Sequence, residues 1–191
     1  MTATVYLVRH GRTALNAQGR LRGLADPPLD STGEQQALAA AGVLRALPVH
    51  AVVCSPLQRA RRTAVLIAEA ARAPFFVDDR LTDRDYGQWA GDVRTDVEGR
   101  WGSVDDAPGV QPVNEILTRA TSALNSWADV VDPIAPEVIV LVTHDAVIRP
   151  VLHGIDATIG VVRAAEGSYQ VLRRADGRWS IVELDHDPGF R

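Results

Sequence analysis

One cysteine, Cys54, is all the thiol in this chain of 191 residues, so no intrachain disulfide can form and a disulfide-stapled secreted scaffold is excluded. No apolar run approaches membrane-spanning length, and no N-terminal segment joins a basic region to an apolar stretch of signal length. A cytoplasmic protein is the expectation. Positive charge is not in excess either: 20 Lys plus Arg face 24 Asp plus Glu, a formal charge of −4, which argues against a nucleic-acid footprint or an anionic-membrane surface. Any anion site must be local. Internal repeats and low-complexity tracts are missing too. What is present is 46% apolar content, enough for one sizeable core and little for two, so residues 1–191 are expected to form one domain.

The apolar run Val5, Tyr6, Leu7, Val8 reads as a buried strand, with Arg9 and His10 at its carboxyl end and Gly11 permitting a sharp exit. A loop rich in Gly, Asp and Pro spans residues 19–30, and Ser31 with Glu34 has the spacing of a capping box. The helix that follows sets Leu38, Ala41, Leu44 and Leu47 on one face and stops at Pro48. Residues 50–54 predict a second strand; Ser55-Pro56 predicts a helix to about Ala71, with Pro56 in its first turn and Arg59 one turn inside. Residues 75–77 predict a short strand, and the long connection 78–114 holds one short helix near 95–101. A helix over about 113–131 rests on Ile116, Leu117, Ala120, Leu124 and Trp127. The run VIVLV at 138–142 is apolar without alternation and predicts a strand buried on both faces, ending at His144. A helix over about 146–152 and a hairpin, 168–174 and 178–184 around Asp176-Gly177, complete the chain. Strands alternating with helices predict a largely parallel α/β sheet.

Two of these strands, far apart in sequence, end in the same way: LVRH at 7–10 and LVTH at 141–144. Paired in a parallel sheet roughly 4.8 Å apart, they would bring both imidazoles to one crevice at its carboxyl edge. Two histidines can mean a metal. Arg9 and Arg59, however, add fixed positive charge at the same edge, which suits an anion; planar guanidinium donors and a helix N-terminus match phosphate oxygens.

The stretches LVRHGRTALN, SPLQRARRTA, LTDRDYGQWAG and VTHDAVIR together resemble the signature blocks of the histidine phosphatase superfamily, in the branch of cofactor-independent small phosphatases and cofactor-dependent phosphoglycerate mutases. The similarity runs from residue 5 to about 153. It implies a phosphoglycerate mutase-like three-layer α/β/α sandwich with a mostly parallel central sheet, and a histidine that becomes transiently phosphorylated. By this resemblance His10 is the nucleophile, Arg9, Arg59 and His144 hold the phosphoryl oxygens, Asn16 supplies a phosphate-side amide and Gly23 a backbone contact. Phosphoryl transfer needs mainly positioning and charge stabilisation, which a cationic cluster can supply without a metal or other cofactor. The expected partner is a small phosphomonoester; whether the chain is a monomer or a homodimer is left open.

The chain departs from the pattern at three places. Arg22 stands where relatives carry a neutral polar residue, either meeting a negatively charged leaving group or lying solvated on its loop. Asp83 replaces the glutamate that serves as proton donor, one methylene shorter. Asp145, after His144, resembles the donor of the superfamily's acid-phosphatase branch, and Asp85 is a third candidate. Val110-Gln111-Pro112 replaces Gly-Glu-Ser before the helix leading to Arg119, and the chain is short of the mutases' extended cap. A metal-independent phosphatase is therefore the first reading, with a phosphoglycerate mutase or a catalytically weakened phospho-ligand binder as alternatives. His50, His153 and His186 read as surface or capping residues, Cys54 as a small buried hydrophobe, Arg61 and Arg62 as a solvated helix side. Trp89 and Trp101 either line the substrate mouth or pack the Gly-rich loop.

Overall fold

A computed structural model describes residues 2–131 and 137–189. Its strands and helices run in the order β1 (Thr2–Arg9), α1 (Ala14–Ala17), α2 (Ser31–Leu44), β2 (Val49–Cys54), α3 (Gln58–Ala71), β3 (Phe75–Val77), α4 (Arg94–Trp101), α5 (Val113–Ala128), β4 (Val138–Thr143), α6 (Asp145–Ile155), β5 (Tyr169–Ala175) and β6 (Arg178–His186). The strands form one sheet in the order β3-β2-β4-β1-β5-β6. β1, β2, β3 and β4 run parallel to one another, and the β5–β6 hairpin adds two antiparallel strands, β5 pairing with β1. As expected from VIVLV, every residue of β4 is buried.

Strand alternation divides the core into two layers. Val5, Leu7, Val53, Ile139 and Leu141 face α5 and α6, packing with Ile116, Leu124, Ile148 and Leu152. Val8, Val52, Cys54, Val140 and Val142 face α2 and α3, packing with Ala40, Leu44, Ala64 and Ile67. The result is the expected three-layer sandwich. Long connections leave room for a third cluster, in which Leu21, Tyr86, Trp89, Val97, Val104 and Ala107 give the 78–114 segment a core of its own.

Several local expectations are corrected. The cap of α2 is Asp30, whose carboxylate accepts from Gly33 N–H at 2.8 Å; Glu34 is drawn away to Arg62 of α3. Leu38 is exposed, and the buried stripe is Ala37, Ala40, Ala41 and Leu44, whose three alanines let α2 approach its neighbours closely. Pro56 precedes α3 rather than entering it, so Arg59 is only the second helical residue. Gly11 is needed for close approach rather than for a turn: a Cβ there would lie 2.2 Å from the Gly33 carbonyl oxygen. Both residues of the Asp176-Gly177 turn take positive φ (50° and 76°), the twist that two-residue hairpins require.

Candidate active site

β1 and β4 are neighbours, with Arg9 opposite Thr143, and His10 N–H donates to the Thr143 carbonyl at 3.0 Å. The two histidines therefore leave the sheet side by side, their ring centroids 4.9 Å apart and edge to face. Ser55 enters from the end of β2, its N–H on the Val142 carbonyl, and its hydroxyl shares a 2.8 Å hydrogen bond with His144 Nε2.

The tautomer of His10 follows from its two partners. Nδ1 lies 2.6 Å from the Gly11 carbonyl oxygen, which can only accept, so Nδ1 carries the proton. Nε2 receives the Arg59 Nε–H at 3.2 Å and carries the lone pair. Burial, reinforced by His144, Arg59, Arg9 and Arg22, holds His10 well below the usual imidazole range. His144 is held down in the same way, by burial first and then Arg59 and Arg22. Its Nδ1 is buried with no hydrogen bond among the described residues, 3.6 Å from Asp83 Oδ2.

Arg59 is fully buried and fixed on all sides: Nη1 donates to the Ala25 carbonyl, and Nη2 to the Gly23 carbonyl and to Asp83 Oδ2 at 2.8 Å. Gly23 thus contributes its backbone, and its φ of +51° keeps that carbonyl inward; an added Cβ would strike the Arg84 carbonyl oxygen at 2.8 Å. Arg22 is not a solvated loop arginine. It is 7% exposed, and its Nη2 donates to Asp145 Oδ1 at 2.7 Å while its Nε is buried and finds no acceptor among the described residues. Arg9 donates to the Ala164 carbonyl and to Glu166 Oε1, both at 2.7 Å, and lies 3.8 Å from Asp145. Asn16 Nδ2 reaches the same Glu166 oxygen at 2.9 Å.

The three candidate acids stand apart physically. Burial pushes the Asp83 carboxyl up, against the pull of Arg59 and Arg22 and with help from Asp145. Burial would also raise Asp145, but Arg9 and Arg22 outweigh it and hold that carboxyl far below the usual range. Asp85 is exposed and accepts from Gly87 N–H. Beside Asp83 opens a cavity of about 290 Å³ lined by Leu24, Thr82, Asp85, Gln111 and Arg119. Arg119 ties the Asp83 loop to α5, donating to the carbonyls of Arg80, Thr82 and Asp83.

Every site residue picked from the sequence thus lies at or beside one crevice, with Asp85 on its outer rim. Trp89 lies away from that mouth, its indole N–H on the Pro108 carbonyl and its ring edge-on to Trp101 at 5.9 Å; both pack the loop. Cys54 is buried, its thiol pushed up to about 12 by burial, and is inert. His50 pairs with Glu137 and His186 stacks on Tyr169. Sequence reasoning missed Ser55 and Glu166. Ser55 had a signal, since it follows the end of a strand predicted to be parallel; Glu166 precedes the hairpin and had none.

The carboxyl edge of the parallel part of the sheet thus gathers two buried histidines and three arginines in one α/β crevice. The profile of the family described as "Histidine phosphatase superfamily (branch 1)" matches residues 5–187, so the chain belongs to that superfamily, whose members are phosphatases or mutases. It is 36% identical over 150 residues to the probable phosphoglycerate mutase GpmB of Escherichia coli, covering 73% of this chain and 68% of that one. Among solved structures, the phosphoglycerate mutase of Bacillus anthracis superposes with a TM-score of 0.87 at 19% identity, covering 96% of this chain and 93% of its own. A mycobacterial glucosyl-3-phosphoglycerate phosphatase gives 0.83 at 22%, covering 97% and 99%. At such identities the two structures share the fold. No helix among the described residues is long and apolar enough to cross a membrane.

Proposed function

We propose that this protein hydrolyses small phosphomonoesters in the cytoplasm, without a metal, through a phosphohistidine at His10. The observation that carries the reading is the fixed tautomer of His10, which keeps the Nε2 lone pair beside Arg59 and His144. In the first step Nε2 attacks phosphorus as the ester P–O bond breaks, and the leaving alkoxide takes a proton from Asp83. In the second, water attacks phosphorus and gives a proton to the Asp83 carboxylate as a P–O bond forms, and the P–N bond breaks to return its electron pair to His10 Nε2. Arg9, Arg59 and His144 hold the phosphoryl oxygens, Asn16 and the loop at Gly23 flank them, and Arg22 faces the leaving group. Asp83 is the donor on physical grounds: a carboxyl raised by burial keeps its proton nearer neutrality, whereas Asp145, held ionised by Arg9 and Arg22, has none to give.

The 36% identity to a probable mutase supports a second reading, transfer to another hydroxyl of the substrate. Incubation with phosphorylated metabolites in chelator tests both. Inorganic phosphate release, with a base-stable, acid-labile phosphoryl group on His10 after rapid quench, is the expected result. An absolute need for a divalent metal, or turnover undiminished in His10→Ala, refutes the first reading; isomerised ester with strong stimulation by a bisphosphorylated primer establishes the second.

A further inference from the structure

Three guanidinium groups point into the crevice, and each is already matched by a carboxylate: Arg59 by Asp83, Arg22 by Asp145 and Arg9 by Glu166. With Asp83 protonated, as its role as donor requires, and Asp145 and Glu166 ionised, these six groups carry a net charge of only +1 and each guanidinium already has an acceptor, a poor state in which to receive a phosphoryl dianion. Something must yield. The three carboxylates differ in their freedom to do so: the side chain of Asp83 is 1% exposed, that of Asp145 9%, and that of Glu166 26%. Asp83 and Asp145 are also enclosed by protein on the strand side, whereas Glu166 sits on the loop before β5.

The bonding of Glu166 is that of a stand-in. One oxygen, Oε1, accepts from both Arg9 Nη2 (2.7 Å) and Asn16 Nδ2 (2.9 Å), as a single phosphoryl oxygen would between two donors. The backbone beneath it is pinned, since Gly167 N–H lies 3.2 Å from the carbonyls of both Arg9 and His10. Ala164 and Gly167 hold positive φ of 44° and 78°, and a Cβ on Gly167 would meet Gln36 Cβ at 2.8 Å. Release therefore needs only side-chain rotation, within reach on the picosecond to nanosecond scale for a partly exposed group.

We propose that Glu166 is an exchangeable internal anion, which occupies the Arg9 and Asn16 donors in the empty crevice and is displaced by the phosphoryl group of the substrate. It thereby sets affinity: a ligand must offer these donors more than the tethered carboxylate does, which weakens retention of free phosphate after turnover. The inference rests on the reading of Arg9 and Asn16 as phosphoryl ligands.

Inorganic phosphate titrated calorimetrically into wild type, Glu166→Gln and Glu166→Ala tests it, together with a crystal structure of the phosphate complex. Removal of the competing charge is expected to tighten phosphate binding at least about tenfold in both variants. In the complex, Glu166 should have left Arg9 and Asn16, which then donate to phosphate oxygens. Unchanged or weaker binding in the variants would show that Glu166 instead orients those donors, and would overturn the proposal, as would a phosphate at His10 with Glu166 still in place. If neither wild type nor variants bind phosphate, the proposal fails, while the phosphatase reading beneath it is decided separately by phosphate release and the acid-labile phosphoryl group on His10.

Discussion

Acidification from about pH 7 to about pH 5 is expected to destabilise the fold well before the surface carboxylates titrate. The cause is the pair of histidines. Both rings are fully buried and held neutral in the folded protein, His10 and His144 each lying well below the usual imidazole range. In the unfolded chain both recover an ordinary pKa of ~6.5, so below that value the unfolded state binds more protons and stability falls. Each imidazole contributes a limiting slope of about 1.4 kcal/mol per pH unit, or about 2.7 for the two. Asp83 acts with the opposite sign: its raised folded pKa makes stability decline as pH rises from ~3.9 through the folded value. One carboxyl cannot cancel two imidazoles. Asp145, depressed in the fold, contributes stability that is lost only below ~3.9, outside this window. Against a typical total of about 5–15 kcal/mol, a loss of a few kcal/mol is readily measured. Urea unfolding in phosphate-free buffer at half-unit pH steps gives the slope, and His144→Gln should reduce it. A flat profile between about pH 6.5 and 5 would refute the picture of two buried neutral imidazoles.

Three other outcomes follow from the same contacts. Asp83→Asn should lose far more rate on alkyl phosphates than on a nitrophenyl phosphate, whose leaving group needs little protonation, while Asp145→Asn should lose similar factors on both; the reverse pattern assigns the proton to Asp145. Arg59→Ala removes the hydrogen bonds to His10, Asp83, Gly23 and Ala25, and kcat/KM should fall by about 10²–10³ in steady-state assays. Arg22→Gln leaves the buried Asp145 carboxylate with Arg9 at 3.8 Å as its nearest cationic partner, and chemical denaturation should show a loss of about 3 kcal/mol.

The sheet could be read ahead of the structure because its strands carry strong, unambiguous patterns. A run such as VIVLV has one stable home, between two helical layers, and two such runs ending in histidine nearly dictate that β1 and β4 be neighbours. Helix starts were harder to place for a physical reason. Asp30 and Ser31 are adjacent and both can cap; what decides between them is whether Glu34 is free to complete a box, and Arg62 on another helix takes it. The exposure of Leu38 has a similar origin, since a helix packed through alanines can bury its small side and leave a leucine outside.

At the site, position along the chain pointed to the residues at the ends of β1 and β4, the family resemblance pointed to Asn16, Arg22, Gly23 and Asp83 outside the strands, and Ser55 and Glu166 were missed. His10, His144, Arg9 and Arg59 follow from the sheet edge and the helix after it, where position along the chain implies position in space. Glu166 does not: it is 157 residues from Arg9, and its neighbours Ala165 and Gly167 form no periodic element. The choice among the acids was beyond the sequence for a related reason. Asp83 and Asp145 carry identical side chains, and both stand beside arginines. What separates them is the balance of burial against nearby charge, with Asp145 facing two guanidiniums at 2.7 and 3.8 Å and Asp83 sunk further from water against Arg59. That balance turns one carboxyl into an acid and the other into a fixed negative charge. It also ties the two roles together, because the ionised Asp145 is one of the groups that raise Asp83. An Asp145→Asn substitution should therefore lower the pH at which activity declines on the alkaline side, even though Asp145 gives up no proton itself.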